Sequence, residues 1–298
     1  MENKINKELP DGIRYISRED KSFPQKMLEL NDCPKGIYVK GQLPDPEKKT
    51  VAIVGARMCT AYGRAMASHF ARVLAENDVQ IISGLALGID GAAHEGALLA
   101  NGKTYAVLAG GVDICYPRAH IELYENIRMT GGILSEEICG CPPIGRLFPK
   151  RNRIVSILSD IILVVEARKR SGSLITADYA AEQGRDIFAV PGRVGDSLSE
   201  GCNELISQGA GIAISPERVL EIMGKSRKKS DNSEGFMQNA LARRENMVYS
   251  CLSLQPKSLE DLCREVRMPF TAVMESVMLL QLQGLVKEVG RNRYIKSV

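Results

Sequence analysis

From residue 51 onward, short apolar runs alternate with longer segments whose apolar positions recur three and four residues apart. The apolar runs predict buried strands, and the longer segments predict helices that pack on a sheet. The predicted strands occupy 51–56, 79–84, 104–111, 132–137, 161–167, 186–192 and 211–215, and the predicted helices 64–77, 91–102, 118–130, 152–159, 175–183 and 201–208. Alternating strands and helices favour a parallel sheet covered on both faces. We therefore predict an α/β domain over residues 51–224, with an extended Rossmann-like, doubly wound and mainly parallel sheet.

The rest of the chain divides into three segments of different character. Residues 1–50 offer one short helix and one strand, which we expect to pack on the sheet. Residues 225–237 are polar and charged without periodicity, which is typical of a linker. Residues 238–298 predict three short helices and a hairpin, the order found in winged helix-turn-helix domains. Ser258 is expected to cap the second of these helices, with Asp261 at its third position.

The composition gives little overall bias toward a polyanion. The chain has 298 residues, 44% of them hydrophobic, and a net charge of +3. Any affinity for nucleic acid must therefore come from local clustering of cations. The eight cysteines include no C-x-x-C pair, and the three histidines lie near no paired cysteines, which favours reduced thiols over a metal site. We find no apolar segment typical of a secretion signal or a membrane span, and expect a cytoplasmic protein.

Cations cluster where the predicted strands end. The stretch "RLFPKRNR" (146–153) holds four cations and no acidic residue, and other cations follow separate strands. Because the carboxyl ends of parallel strands meet at one edge of a sheet, we expect these side chains to project from a common rim. Each alone is more often a solvated surface cation, but together they predict a track for the phosphates of a polymer. The predicted contacts are Arg57, Arg118, Arg146, Lys150, Arg151, Arg153, Lys169 and Arg170.

Three small-residue loops feed helices at the same predicted edge: "GARMCTAYG" (55–63), "SGLALGIDG" (83–91) and "RSGSLIT" (170–176). Each can present backbone N–H groups to an anion at a helix start. The alternative is that the glycines only permit a tight turn. We add Gly84, Gly88, Ser171, Gly172 and Ser173 to the predicted site. Phe148 is a candidate for stacking on a base, or else a core residue that anchors the basic stretch.

Signals for catalysis or for a cofactor are weak. "NGKT" (101–104) lacks a glycine at the P-loop spacing, and no G-x-G-x-x-G follows the first predicted strand. Asp90 is expected to cap the following helix. Glu136, Glu137 and Glu166 end strands facing the basic rim, which leaves a nuclease metal site as a less favoured alternative. We expect no catalytic residue, cofactor or metal.

Several motifs in combination resemble the DprA/Smf family of DNA-processing proteins. They include "VAIVGAR", "ISGLALGIDGAAHEGAL", "AVLAGGVDICYPRAH", "FPKRNRIVSILSD" and "VVEARKRSGSLITADYAAEQGRDIFAVPG". The resemblance implies a protein that binds and protects single-stranded DNA, without strong sequence preference and without catalysis. It also implies loading of the RecA recombinase during DNA uptake, natural transformation and recombination, and a homodimer formed through the Rossmann domain. The family's contacts carry over to Arg57, Arg118, Arg146 and the F-P-K-R-N-R segment, which adds Asn152.

Two departures and two competing functions remain. Many family members have a longer helical N-terminal domain, and only some have a winged helix. A phosphoribohydrolase would show P-G-G-x-G-T-x-x-E where this chain has "SGSLITADY", so its catalytic glutamate is missing. A winged-helix regulator is disfavoured because Glu275 is the only charged residue of the third C-terminal helix. For that domain we favour a protein-contact or auxiliary DNA role over sequence-specific binding to duplex DNA.

Overall fold

A computed structural model of the chain describes residues 9–225 and 243–297. The chain divides into two compact units, Met1–Arg227 and Lys228–Val298. Apart from Lys225, the predicted linker (225–237) lies outside the described residues. No helix in the described ranges is both long enough and apolar enough to cross a membrane.

The first unit is built on one large sheet, and its described part contributes nine strands. They are β1 Ile13–Ser17, β2 Gly36–Gly41, β3 Thr50–Val54, β4 Gln80–Ser83, β5 Thr104–Val107, β6 Gly132–Ser135, β7 Ile161–Val164, β8 Asp186–Ala189 and β9 Gly211–Ile212. The strand order is β1-β2-β6-β5-β4-β3-β7-β8-β9. All neighbours from β6 to β9 are parallel, whereas β2 runs antiparallel to both β6 and β1. The prediction of an α/β fold with a mainly parallel sheet is confirmed.

Helices cover both faces of this sheet. They are α1 Ala61–Glu76, α2 Ile89–Leu99, α3 Ile121–Thr130, α4 Leu147–Ile157, α5 Gly172–Glu182, α6 Glu200–Ser207 and α7 Pro216–Ile222, with 3-10 turns at Gln25–Glu29 and Arg118–His120. Alternate residues of β3 point to opposite faces. Ala52 and Val54 pack with apolar residues of α4 and α5, whereas Val51 and Ile53 pack with those of α1 and α2. The sheet is therefore doubly wound.

Three features of the first unit differ from the sequence prediction. The N-terminal segment contributes two strands to the sheet, β1 and β2, instead of one. Helix α4 begins at Leu147, five residues before the predicted start at residue 152, so most of the basic stretch is helical. Helix α7 was not predicted; it begins with Pro216 after the cap Ser215, whose side chain accepts a hydrogen bond from the Arg218 N–H.

The second unit contains three helices and a small sheet in its described part. The helices are α8 Arg243–Cys251, α9 Leu259–Val266 and α10 Phe270–Leu282, and the strands are β10 Lys257–Ser258, β11 Val286–Gly290 and β12 Arg293–Lys296, ordered β10-β12-β11. Strands β11 and β12 form the predicted hairpin. Ser258 and Asp261 form a reciprocal capping box at the start of α9, as the sequence predicts.

The order of the strands places a crevice at the centre of the first sheet. From β3 the chain moves through β4 and β5 to β6 on one side, and then returns to β7 and β8 on the other. The carboxyl ends of β3 and β7 are therefore neighbours, while the helices that follow them cover opposite faces. Ligands of open α/β sheets bind at such switch points.

Candidate nucleic-acid interface

A cavity of about 390 Å³ opens at the carboxyl ends of β3, β4 and β7. The loop after β3, the loop after β4, the start of α4 and the start of α5 form its walls. The polar and aromatic lining residues are Arg57, Asp90, Phe148, Arg151, Asn152, Ser171, Ser173 and Thr176, together with Gly55, Gly84 and Gly172. Seven of the fourteen residues that the sequence predicted for the site line this cavity, and so does the stacking candidate Phe148. The other seven, Gly88, Arg118, Arg146, Lys150, Arg153, Lys169 and Arg170, do not line it.

Phe148 joins three separate segments at this edge. The Arg57 guanidinium lies over the Phe148 ring at 4.9 Å from its centroid. The Tyr116 ring packs against the Phe148 ring in a tilted arrangement, with 5.9 Å between the two ring centroids. Arg118 follows Tyr116 by two residues, and Arg146 precedes Phe148 by two. The segments that carry Arg57, Arg118 and Arg146 therefore meet at one aromatic ring.

The three arginines of these segments are available to a ligand. Arg57, Arg118 and Arg146 are exposed, and within the described parts of the chain none of them forms an ion pair. Exposed cations beside an aromatic ring can neutralise phosphates while the ring stacks on a base. The sequence did not single out Tyr116, although it lies in the same "CYPRAH" loop as Arg118.

Arg151 has a different role from these three, because its guanidinium is buried. It donates hydrogen bonds to the carbonyl oxygens of Gly84, at 2.8 Å, and of Val107. A Cβ on Gly84 would lie 2.4 Å from the Arg151 guanidinium, so the packing requires glycine there. Burial lowers the pKa of Arg151 to about 10, while the charge of Asp90 opposes that shift. Arg151 therefore fastens the loop after β4 to α4, and the expectation that it is a free rim cation is wrong.

Arg153 and Lys150 are also neutralised within the protein. The Arg153 side chain is only 3% exposed; its Nε lies 2.8 Å from Asp32 and its Nη2 lies 2.7 Å from Glu136. The Lys150 Nζ lies 3.2 Å from Glu136 and 3.0 Å from Glu137. The early start of α4 explains the correction, because Arg151 and Arg153 then lie on a helix packed within the protein and not in a rim loop: Arg151 is buried against the Gly84 and Val107 carbonyls, and Arg153 against Asp32 and Glu136. Their projection from a common rim is not observed.

Carboxylates occupy two of the three helix starts that were predicted to receive an anion. Glu166 accepts hydrogen bonds from the Thr60 backbone N–H, at 2.8 Å, and from its hydroxyl, at the start of α1. Glu166 therefore does not face the basic rim as a free carboxylate. Asp90 lies in the first turn of α2 and accepts from the Gly84 N–H at 3.1 Å, while Gly88 is the N-cap. Burial raises the pKa of Asp90, and the charge of Arg151 opposes this shift. The expectation that Asp90 is the cap is wrong.

The start of α5 has no acidic residue in its first turn. Ser171 is its N-cap and accepts from the Ser173 N–H at 3.3 Å. Asn152 donates to the Gly172 carbonyl at 3.1 Å, which ties α4 to this turn. Lys169 and Arg170 are exposed immediately before Ser171. Arg168, which precedes them, is also exposed and was not among the predicted site residues. This is the helix start that remains open beside the cavity.

Gly88 supports the site without offering a free surface to a ligand. Its φ is +79°, in the left-handed region, and a Cβ there would lie 2.3 Å from the Ala56 carbonyl oxygen. The loop after β4 thereby packs directly on the backbone that carries Arg57. Within the described ranges, no group of three or more His, Cys, Asp or Glu side chains is arranged to hold a metal ion.

Comparison with known proteins finds relatives that are named Smf or DprA. Protein Smf of Escherichia coli is 44% identical over 207 residues, which are 69% of this chain and 55% of that protein. The DNA processing protein DprA of Streptococcus pneumoniae is 43% identical over 201 residues, which are 67% of this chain and 71% of that protein. The chain thus spans about half the length of the Escherichia coli relative.

Two solved structures share this fold at substantial sequence identity. DNA processing protein A from Streptococcus pneumoniae has a TM-score of 0.67 and 40% identity, covering 71% of this chain and 74% of that one. DNA processing protein A from Helicobacter pylori, described for its unique single-stranded DNA binding mode, has a TM-score of 0.63 and 32% identity, covering 70% and 95%. The family model for DNA recombination-mediator protein A matches residues 14–224. Since this match takes in nearly all of the nine-stranded sheet and its crevice, the chain belongs to the DNA recombination-mediator protein A family, the DprA/Smf proteins.

Proposed function

We propose that this chain binds single-stranded DNA, without strong sequence preference, along the carboxyl edge of the nine-stranded sheet. It acts in the cytoplasm as a binding protein and not as an enzyme. By holding the strand it protects incoming DNA and helps to load a RecA-type recombinase during transformation and recombination.

The convergence at Phe148 carries this proposal. Three segments far apart in the sequence, each carrying an exposed arginine, meet at one aromatic pair beside a cavity at the switch point of the sheet, and the Arg57 guanidinium lies over the Phe148 ring. A single strand offers both phosphates and unstacked bases, so it can use cations and rings together. Duplex DNA keeps its bases stacked and paired, and so could use only the cations. The arrangement therefore favours single strands over duplex.

The geometry divides the proposed contacts into two groups. Direct contacts to the strand are assigned to Arg57, Arg118, Arg146, Lys169, Arg170, Ser171, Gly172 and Ser173. Gly84, Gly88, Arg151 and Asn152 shape the cavity through their hydrogen bonds and close packing. Lys150 and Arg153, which are already paired with carboxylates, are not proposed as contacts.

The proposed partners rest on family membership. A homodimer through the sheet-bearing unit and delivery of the strand to a RecA-type recombinase are both implied by the DprA/Smf resemblance. For the second unit we propose a winged-helix module that contacts protein or supports DNA binding. Helix α10 exposes Phe270, Met278 and Leu282, and Glu275 is its only charged residue, a composition that suits an apolar contact better than a phosphate backbone.

A mobility-shift assay comparing single-stranded and duplex DNA of equal length tests the proposal. We expect the single strand to bind more tightly, and Arg57→Ala to weaken its binding at least about tenfold, because a charge-assisted phosphate contact and a ring contact are lost together. Lys48→Ala is the matched control, since Lys48 precedes β3 at the opposite edge of the sheet and pairs with Asp78. Stronger binding to duplex, or equal losses in both variants, would overturn the proposal.

A further inference from the structure

A second depression lies beside the first cavity. It is a groove of about 310 Å³ between α5 and α6, and one face of each helix forms its walls. Helix α5 contributes residues spaced three and four apart, and α6 does the same. The wall residues are Leu174, Ile175 and Asp178 from α5, and Gly201, Glu204 and Leu205 from α6, followed by Gln208. Lys169, Arg170 and Ser171 close the groove at the carboxyl edge of the sheet.

The groove is continuous with the first cavity. Ser171 and Ile175 line both depressions, so the first turn of α5 is the ridge between them. A polymer that leaves the first cavity over Ser171 enters the groove without leaving the protein surface. Helix α6 is held in place at this point, because the Gly201 N–H donates to the Ala167 carbonyl at 2.8 Å and a Cβ at Gly201 would lie 2.8 Å from the same oxygen.

The two ends of the groove carry opposite charge. Lys169 and Arg170 stand at the end nearest the first cavity. Asp178 lies seven residues beyond Ser171 on the same helix, a rise of about 10 Å, which is comparable with the reach of a nucleotide from its phosphate to the outer edge of its base. Leu174 and Leu205, both half-buried, form an apolar floor between the ends.

Asp178 is a carboxylate of the groove that is free to act on a ligand. It is exposed, and within the described parts of the chain its side chain forms no hydrogen bond or ion pair. Glu204, across the groove, already accepts a hydrogen bond from the Gln208 Nε2 at 2.8 Å. A carboxylate accepts hydrogen bonds from an amino group but repels a carbonyl oxygen, so it distinguishes cytosine from uracil or thymine at position 4 of the ring.

We propose that this groove is a second nucleotide subsite that prefers bases bearing an exocyclic amino group. The phosphate of the nucleotide next to the one at the first cavity binds Lys169 and Arg170. Its base lies on Leu174 and Leu205, and its amino group donates to Asp178. The inference rests on the proposed binding of single-stranded DNA and adds a modest base preference to it.

Homopolymers of deoxycytidine and deoxyuridine of equal length test the subsite, since both are weakly stacked and differ at one edge of the ring: cytosine has an amino group at position 4 and an unprotonated N3, whereas uracil has a carbonyl at position 4 and an N3–H. We expect the deoxycytidine strand to bind about fivefold more tightly, the worth of one hydrogen bond to a charged acceptor at an open site. Asp178→Ala should reduce the difference to less than about twofold by weakening only the deoxycytidine strand. Glu182→Gln is the matched control, because Glu182 is one turn further along α5, exposed and outside the groove.

The outcomes separate the subsite from the function on which it rests. Equal affinity for the two strands in the wild type, or a preference that survives in Asp178→Ala, refutes the subsite even if Arg57→Ala still weakens binding to single strands. Binding to neither strand refutes the proposed function and the subsite together. Because Asp178 is exposed, thermal unfolding of the variant should match the wild type, and a large drop would count against a role in binding alone.

Discussion

Arginines of equal charge take different roles in the same cavity wall. Arg57 is exposed over an aromatic ring, whereas Arg151 is buried with its donors on backbone carbonyl oxygens. The alternation of strands and helices along the chain could predict that both lie at the carboxyl edge, but not which one is free. The phase of α4 decides this, because a helix beginning at Leu147 places Leu147, Arg151 and Ile154 on one buried face.

A buried histidine illustrates how a residue outside the site controls stability. His94 of α2 is fully buried, and its Nδ1 lies 2.7 Å from the Thr104 hydroxyl oxygen. Thr104 donates its own proton to the Ile81 carbonyl, so its oxygen accepts from Nδ1–H. Burial lowers the pKa of His94 to about 3, with a smaller contribution from the charges of His120 and Arg151. The folded protein therefore keeps this ring neutral in conditions where the unfolded chain protonates it.

The pH dependence of unfolding tests whether His94 stays neutral in the folded protein. Its pKa is lower in the folded state, so its contribution to stability is present above about pH 6.5 and is lost as the pH falls toward 3. Between pH 7 and pH 5 this loss is about 2 kcal/mol. His94→Asn keeps a donor toward Thr104 but cannot be protonated, so urea unfolding should show a smaller loss over that interval. The raised pKa of Asp90 acts in the opposite direction in both proteins. An equal loss in the variant would contradict the assignment.

At the scale of elements, the sequence predicts the strand cores well and the helix starts poorly. Buried apolar runs such as "VAIV" (51–54) and "IILVV" (161–165) indicate a strand clearly, and β3 and β7 coincide with them to within one residue. A helix start depends on partners far away in the chain. Glu166 reaches the start of α1 from 106 residues further along, and no local pattern indicates that pairing. The same limit explains why two helix starts were wrongly left open to an anion.

The contact between the first two loops can be tested at Gly88. Gly88→Ala places a Cβ against the Ala56 carbonyl and holds alanine at a positive φ. We expect the free energy of unfolding to fall by about 2 kcal/mol or more, and single-stranded DNA binding to weaken because the Arg57 backbone shifts. Gly145→Ala is the control, since no atom lies within 4 Å of its Cβ position and its φ is outside the left-handed region. Equal stability of the two variants in urea unfolding would contradict the close packing.

For the whole molecule, the alternation of strands and helices predicts a parallel sheet but leaves its strand order open. The position of β3 between β4 and β7 follows from long-range packing, and it is this order that creates the crevice. The two N-terminal strands extend the sheet beyond β6, where the short apolar segments of residues 1–50 indicated only one. The meeting of the segments that carry Arg57, Arg118 and Arg146 at one edge was predictable because carboxyl ends of parallel strands share an edge, whatever their order.

The salt dependence of binding measures how many of these cations act on the strand together. Each phosphate neutralised on a single strand contributes about 0.7 to the slope of log affinity against log salt concentration. The exposed proposed contacts are Arg57, Arg118, Arg146, Lys169 and Arg170, which predicts a slope of about −3.5 if each binds one phosphate. Arg118→Ala should make the slope shallower by about 0.7.

Lys150→Ala is the sharpest control for that measurement, because Lys150 lies in the same basic stretch but is paired with Glu136 and Glu137. When single-stranded DNA is titrated at several salt concentrations, the slope of log affinity against log salt concentration for Lys150→Ala should equal that of the wild type. If Lys150→Ala and Arg118→Ala lowered the slope equally, the ion pairs of α4 would open on binding and the division into free and neutralised cations would fail. If neither changed it, the affinity would have to come from stacking on Phe148 and Tyr116, and Phe148→Ala would then cause the larger loss.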